Sequence, residues 1–571
     1  MRRSIVSHRH WSLLLALAVL VLGCAPAPPP SQGSGPASNT GQPQPPAAPK
    51  QITVAMMGNP VAASDRFVGG RSGGGIPGAS ELEQLVGGAL TPGKDNNSAF
   101  VPQLAEAVPT FENGLWKVLP DGRMETTWRI RAGARWHDGV ALTSADVLFT
   151  TKVEQDRDLP VAPTAGYEQI ASIEAPDAQT VTITWKRPYI QADQFFLRAP
   201  LPQHILERPY TESKESFTAL AYWNEEYVGA GPYRVGEWVR DSHATLHAFD
   251  DFVLGRPKID DVVVKFLADE NAFMANILAG TVDASIGKSI NYEQATQIRT
   301  QWSDGKIVTR PETVVKLWPQ FLDPNPAIML NVQFRKALFY AIDRQELVDS
   351  LVGRDASAVA HSVLLPTEPL FDQGEATAVK YEYDPRRATT MIEQLGYTRG
   401  ADGLFRDSRN ELLSVEIQAT GEAQNTKPSF AIANYWKQIG VDAQVAVVPI
   451  QLQNDRKYRA EFPGLNLQGS TSGIPKIGEL TSTQSRLPEN NYNGRNYPRY
   501  MNQEFDGLVA TLFASVPLQE RGLALQRAIQ WMTDQVVMYS LYYAPEATMI
   551  SNRMVNAGFN PTWNASEWDL K

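Results

Sequence analysis

Past residue 50 the chain switches between two hydrophobic rhythms, one apolar position in two and one in about 3.6, the signatures of strands and helices. The shorter period predicts strands at Ile52–Met57, Met124–Ile130, Val181–Trp185, Ile259–Phe266 and Val441–Val448. The longer period predicts helices at Ser80–Leu90, Asn271–Ala279, Phe334–Val348, Arg386–Leu395, Ser429–Ile439 and Leu518–Gln535. Gly280 and Gly440 follow two of these helices, where a left-handed residue ends a helix at least steric cost. A further helix begins at Thr143, with Asp146 three residues on to complete a capping box, so Asp146 reads as a structural acid. Strands and helices mix throughout without an internal repeat, which predicts an α/β or α+β body.

The 571 residues exceed what one core organises, so more than one lobe is expected. A 43% hydrophobic, 20% charged composition excludes collagen-like, coiled-coil and wholly disordered classes. The first fifty residues differ from the rest. Arginines precede an uncharged run, Trp11–Leu22, and Leu22-Gly23-Cys24 places a small residue directly before the sole cysteine. This reads as a lipoprotein signal (1–23) with lipidation at Cys24; the run of 12 residues is too short to span a bilayer as a helix. One cysteine excludes an intramolecular disulfide and a multi-thiolate zinc site. Residues 24–50 carry nine prolines and no large apolar side chain, so they read as an extended tether, on the order of 80 Å at full polyproline reach. Formal net charge is −10, and loss of Arg2, Arg3 and Arg9 with the signal makes it more negative, which opposes nucleic-acid binding.

Several stretches carry a resemblance. FVPQLAE (100–106), WRIRAGARWHDG (128–139) and LTSADVLF (142–149) come first, followed by GAGPYR (229–234) and GRPKID (255–260). FRKALFYAIDR (334–344), YDPRRA (383–388), QIGV (438–441) and NQEFD (502–506) continue the order. Together, over residues 50 to 571, they resemble family 5 extracellular solute-binding proteins, the dipeptide, oligopeptide and nickel binders of ABC importers. The resemblance implies a type II periplasmic-binding-protein fold, with two α/β lobes, a two-strand hinge and an inserted subdomain. It implies a first lobe of 50–95, 226–315 and 540–571, an insertion of 96–225 and a second lobe of 316–539. It also implies a ligand held between the lobes, an ABC permease as partner, a monomer, and no cofactor or catalytic residue. The expected ligand is a peptide or peptide-like compound, with a nickel chelate, an opine or an oligosaccharide as the alternative within the class. A surface hydrolase or a sensor without transport is the alternative outside it.

Peptide binders of this family carry a W-x-x-D-Y type element in the second lobe, whose aspartate pairs with the ligand ammonium. The comparable stretch here, LNLQGSTSGIP (465–475), has no acid. Burying an ammonium without a carboxylate is costly, so a ligand with a free amine is disfavoured. Gln468, Ser470 and Thr471 offer hydrogen bonds there instead, unless Glu461 or Glu489 supplies the charge. Trp318, Gln320 and Phe321, past the expected hinge, and Tyr492, Arg495 and Tyr497, in a Gly/Asn-rich loop, are wall candidates or packing residues. Arg495 is a candidate to hold a ligand carboxylate in bidentate fashion or a solvated arginine, and Asn59, in the turn after the first strand, is a further candidate ligand contact.

Three patterns are set aside. GGGIPG (73–78) satisfies G-x-G-x-x-G, but it starts some fifteen residues after the strand and Pro77 interrupts it. His243 and His247 share a strand face without a third ligand nearby, and His137 reads as a turn residue with no serine elbow to serve. Asp343 and Arg344 read as a local ion pair on their helix.

Overall fold

The computed structural model describes residues 48–64, 66, 78–94, 99–156, 158, 159, 161, 166–287, 290–353, 358–421, 423–453, 455–468, 472–559 and 561–571. The signal, Cys24, most of the tether, the glycine pattern up to Pro77, and the candidates Ser470 and Thr471 lie outside the described residues.

Ten strands form one sheet in the order Asp442–Val447, Ser414–Ala419, Leu465–Gln468, Gly305–Pro319, Tyr539–Ser551, Ala284–Ser285, Gln51–Met57, Asp261–Leu267, His243–Ala248, Tyr233–Val239. The two long strands in the middle run antiparallel, Gly305 opposite Ser551 and Leu317 opposite Tyr539. Each belongs to the first lobe at one end and to the second at the other, so they are the crossings between lobes. Their ladder slips between Pro311 and Thr313, and Pro311 faces Pro545. Neither proline has an N–H to donate, so the ladder loses donors at this point, and a second irregularity follows between Val315 and Lys316.

Period-two alternation sends each strand's side chains into two layers. In the second lobe Leu317, Ile417, Leu465 and Leu467 pack under Phe334, Ile392 and Trp436. Trp318, on the other face, joins Phe462, Leu480, Tyr500 and Ile529. In the first lobe Ile52, Val54, Met56, Val262 and Val264 meet Leu82 and Leu85, while Ala55 turns to Phe273 and Ile298. Between residues 57 and 233 the chain leaves to build a separate four-stranded sheet, Trp116–Val118, Met124–Arg129, Thr180–Trp185, Ile170–Asp177, over buried Trp128, Trp136 and Trp185. This is the mixed α/β architecture expected from the rhythm of the chain.

Most predicted elements fall within a few residues of their place. The first predicted helix stops earlier, at Ala79–Val86, because Gly87 and Gly88 follow and Gly88 is left-handed (φ 67°). The capping box forms: Asp146 accepts the Thr143 N–H at 2.8 Å, and its second oxygen accepts the Gln203 N–H at 2.9 Å. Two expectations are corrected. The helix predicted over Phe334–Val348 is two, Val332–Tyr340 and Arg344–Leu351, because Asp343 accepts the Glu346 N–H at 2.9 Å and starts a new one. Asp343 and Arg344 form no local ion pair: the acid caps the helix, while buried Arg344 donates to the carbonyls of Ala360, Tyr381 and Ser540.

His137 explains why two of the sequence stretches occur together. Its Nδ1 accepts the Gly229 N–H at 3.2 Å and its Nε2 lies 3.1 Å from the Gly231 carbonyl, joining the WHDG turn to the GAGPY segment. One acceptor and one donor nitrogen define the neutral imidazole, and burial presses its pKa down to about 4. Gly229 itself touches the helix end at Gly87; a Cβ there would sit 2.0 Å from the Val86 carbonyl oxygen.

Candidate ligand cleft

Parallel strands point their C-terminal ends the same way, and in open α/β sheets ligands bind beyond those ends. In the first lobe Gln51–Met57 is parallel to Asp261–Leu267 and to Ala284–Ser285. In the second, Ser414–Ala419 is parallel to Asp442–Val447 and to Leu465–Gln468. The crossing strands tie the two sets together, so the loops after them flank the interlobe cleft. An ion pair between Lys427 and Glu293 (3.0 Å) spans from one lobe to the other. The insertion also reaches the second lobe, where the Ile190 N–H donates to the Phe513 carbonyl at 2.9 Å and the Tyr189 ring stacks on Phe513.

The wall candidates fall into three groups. Trp318, Tyr497 and Arg495 converge. Trp318 and Tyr497 are buried, and Lys476 Nζ lies between them, 5.2 Å from the first ring and 5.1 Å from the second. Arg495 donates to Glu479 at 2.9 Å, and Glu479 also accepts from Lys476 at 2.8 Å. Gln320, Phe321 and Tyr492 brace loops. Gln320 donates to the carbonyls of Ala460 and Phe462 (3.0 Å each) and accepts from Arg499 at 3.1 Å. Phe321 packs edge-on against Tyr500 and beneath Arg335, and the Tyr492 hydroxyl donates to Glu461 at 2.8 Å. Asn59 stands apart: it exchanges hydrogen bonds with Asp241, a first-lobe turn residue held at φ 59°. Gln468 ends its strand directly opposite Lys316.

Sequence reasoning passed over three buried cations of this cluster. Lys316 is 0% exposed, Lys476 1% and Arg486 3%. Lys316 Nζ donates to Ser472 Oγ at 2.8 Å, and the same oxygen accepts the Val314 N–H at 2.8 Å. Arg486 covers the Tyr497 ring at 3.8 Å and donates to the Gly494 carbonyl. Their electrostatics are coupled. Burial, reinforced by the charge of Lys476, presses Lys316 well below the ordinary lysine range. Burial pushes the Glu479 carboxyl up, but Lys476 and Arg495 outweigh it and hold the acid ionised. Burial likewise raises the Tyr497 phenol, yet Arg486, Lys476 and Arg459 bring its net shift downward. One signal was legible: Val314-Val315-Lys316-Leu317-Trp318 puts a lysine inside an apolar strand.

His247 bonds Asp261 at 2.7 Å and His243 lies 3.9 Å from Glu237, so each imidazole on this strand has a carboxylate beside it. Among the described residues no helix is long and apolar enough to cross a membrane.

A sheet divided by two crossing strands, with facing sets of strand ends, defines a two-lobed binding protein. The chain belongs to family 5 of the bacterial extracellular solute-binding proteins, whose middle region matches residues 99–481. It is 23% identical over 466 residues to the oligopeptide-binding protein AppA of Bacillus subtilis strain 168, covering 79% of this chain and 81% of that protein. The fold is similar to the oligopeptide binding protein of Thermus thermophilus complexed with a pentapeptide (TM-score 0.75, 21% identity, 91% of this chain and 96% of that one). It is also similar to NikZ of Campylobacter jejuni in complex with Ni(L-His) (TM-score 0.72, 20% identity, 91% and 100%).

Proposed function

We propose that this protein captures a peptide or peptide-like compound between its lobes and hands it to the permease of an ABC importer, as a monomer held to the membrane through lipidated Cys24. On this reading the first lobe comprises residues 50–95, 226–315 and 540–571, the inserted subdomain 96–225 and the second lobe 316–539. The observation that carries it is the pair of facing strand-end sets joined by two crossing strands whose ladder is interrupted at Pro311 and Pro545. A ligand touching both walls favours the closed arrangement by its difference in affinity for the two states, and closure then signals occupancy to the permease. Trp318, Tyr497 and Arg495 form the second-lobe wall, while Gln320 and Asn59 hold the loops around it. The oligopeptide-binding relative supports a peptide as the guest. No covalent step is required of any side chain in this function.

The test is incubation of the mature, full-length chain with a randomised pentapeptide mixture, followed by mass spectrometry of what it retains and X-ray scattering of the complex. Peptides should be retained intact and the radius of gyration should fall. Cleaved peptides, or saturation without compaction, would refute the reading.

A further inference from the structure

The parallel strands Ser414–Ala419, Asp442–Val447 and Leu465–Gln468 send their C-terminal ends toward the cleft. At the opposite end, where they begin, lies a cavity of about 500 Å³. Part of its wall is apolar, formed by Pro326, Ile328, Leu412 and Pro463, and Leu412 keeps 40% of its surface open. The rest is acidic. Asp407, Glu411 and Glu416 line it, against the single guanidinium of Arg409, so the charged lining is two charges negative. Arg409 is already engaged, donating to Asp407 at 3.2 Å and to Glu411 at 2.9 Å.

Glu416 is the acid left over. Alternation along its strand sends Val415 and Ile417 into the core, so Glu416 stands on the other face, opposite Gln444. The neutral donors nearest to it in the ladder are committed elsewhere: the Gln444 amide donates to Asp442 at 2.7 Å, and the Ser414 hydroxyl to the same carboxylate at 2.9 Å. The Glu416 carboxylate has no hydrogen bond or ion pair among the described residues, and burial alone pushes its pKa up. A carboxylate drawn partly out of water without a countercharge is unfavourable, and a cation entering the cavity would offset that penalty.

From this geometry we infer that the cavity is a second ligand site, separate from the interlobe cleft, for a small organic cation: a primary ammonium on Glu416, with its apolar body against Ile328, Leu412 and Tyr397. The volume suits such a guest, since small-molecule sites run from roughly 300 to 1,000 Å³. The Tyr397 ring on the wall offers an aromatic surface that also favours a cation. Asp407 and Glu411 add attraction over distance while Arg409 holds their nearest oxygens. A guest here would tie the 405–413 hairpin to the strand beside it and to the loop at Pro326. The inference does not rest on the peptide reading, because none of these residues belongs to the cleft wall.

The experiment is isothermal titration calorimetry and thermal shift of the mature, full-length protein with n-hexylammonium, and with hexanol and hexanoate as its neutral and anionic counterparts. The amine should bind and raise the melting temperature, with the alcohol and the acid weaker by about tenfold or more, the worth of one charge-assisted hydrogen bond. Glu416→Gln keeps the shape and removes the charge. It should lose about tenfold in affinity for the amine, leave the alcohol unchanged, and melt no lower than wild type. Leu412→Ser, at an open position, should weaken amine and alcohol alike. Equal affinity for amine and alcohol, amine binding undiminished in Glu416→Gln, or no binding of the amine at all overturns the inference. Each of these outcomes leaves peptide capture in the cleft untouched, because retention of peptides tests that separately.

Discussion

Asp193 sits in the short turn Ala192–Gln194, directly behind the contact by which the insertion touches the second lobe at Phe513. Its Oδ1 is buried without a hydrogen-bond partner among the described residues. Burial pushes its carboxyl up to about 6, with its own backbone and Arg521 pulling weakly the other way. Relative to an ordinary aspartate this is about two pH units, an upper limit of roughly 3 kcal/mol. The sign follows from proton binding: the folded protein holds this proton more tightly than the unfolded chain does. Its favourable contribution is therefore complete below the unfolded value and is lost as pH rises through about 6. Asp193→Asn, which cannot ionise, should match the wild type in acid and exceed it in stability by up to about 3 kcal/mol near pH 8. Urea unfolding followed by tryptophan fluorescence, from about pH 4 to about pH 8, measures the difference between the two proteins. A difference that stays constant across that range would refute the reasoning, because it would mean the carboxyl titrates alike in both states.

Gly229→Ala should lower stability by about 3 kcal/mol, since its Cβ would collide with the Val86 carbonyl at 2.0 Å; a melting temperature unchanged from wild type would contradict this contact. Arg66→Met leaves Glu154, bonded by Arg66 at 3.0 Å and by the Tyr167 hydroxyl at 2.8 Å, as a buried charge. A loss of about 3–5 kcal/mol is expected, largely recovered in the Arg66→Met/Glu154→Gln double variant, as denaturation of the three proteins would reveal. His137, held neutral with its pKa pressed to about 4, gives the opposite pH slope to Asp193: its contribution is present above the unfolded value near 6.5 and lost as pH falls toward 4. Subtracting His137→Gln from wild type across that window should expose a loss of roughly 3 kcal/mol in acid, and a flat difference would rule it out.

Features that depend on a few neighbouring residues were readable from the chain. The Thr143–Asp146 capping box, the strand alternation and the Gly280 and Gly440 helix ends each need only local geometry, and all are present. The break at Ala341–Asp343 was locally encoded too, by Asp343 capping toward Glu346, but an unbroken hydrophobic period concealed it. Arg344 shows the other limit. Its partners Ala360, Tyr381 and Ser540 are distant in sequence, so no spacing rule distinguishes it from a solvated arginine. Among the wall candidates, Gln320 and Tyr492 look from sequence like groups free to bind a guest, and in the folded protein they are engaged with neighbouring loops.

Periodicity, caps and the ordered series of motifs are properties of short stretches, and so the chain alone determined its elements, its α/β class and its family. The charge of this buried cluster is different in kind. Lys316, Ser472, Lys476, Arg486 and Tyr497 lie up to about 180 residues apart, and only tertiary packing brings them together and strips their water, so that Lys316 and Tyr497 shift under their neighbours' charge. Coulomb energy depends on distance and surroundings rather than on sequence separation, which is why the folded structure decided the character of the site.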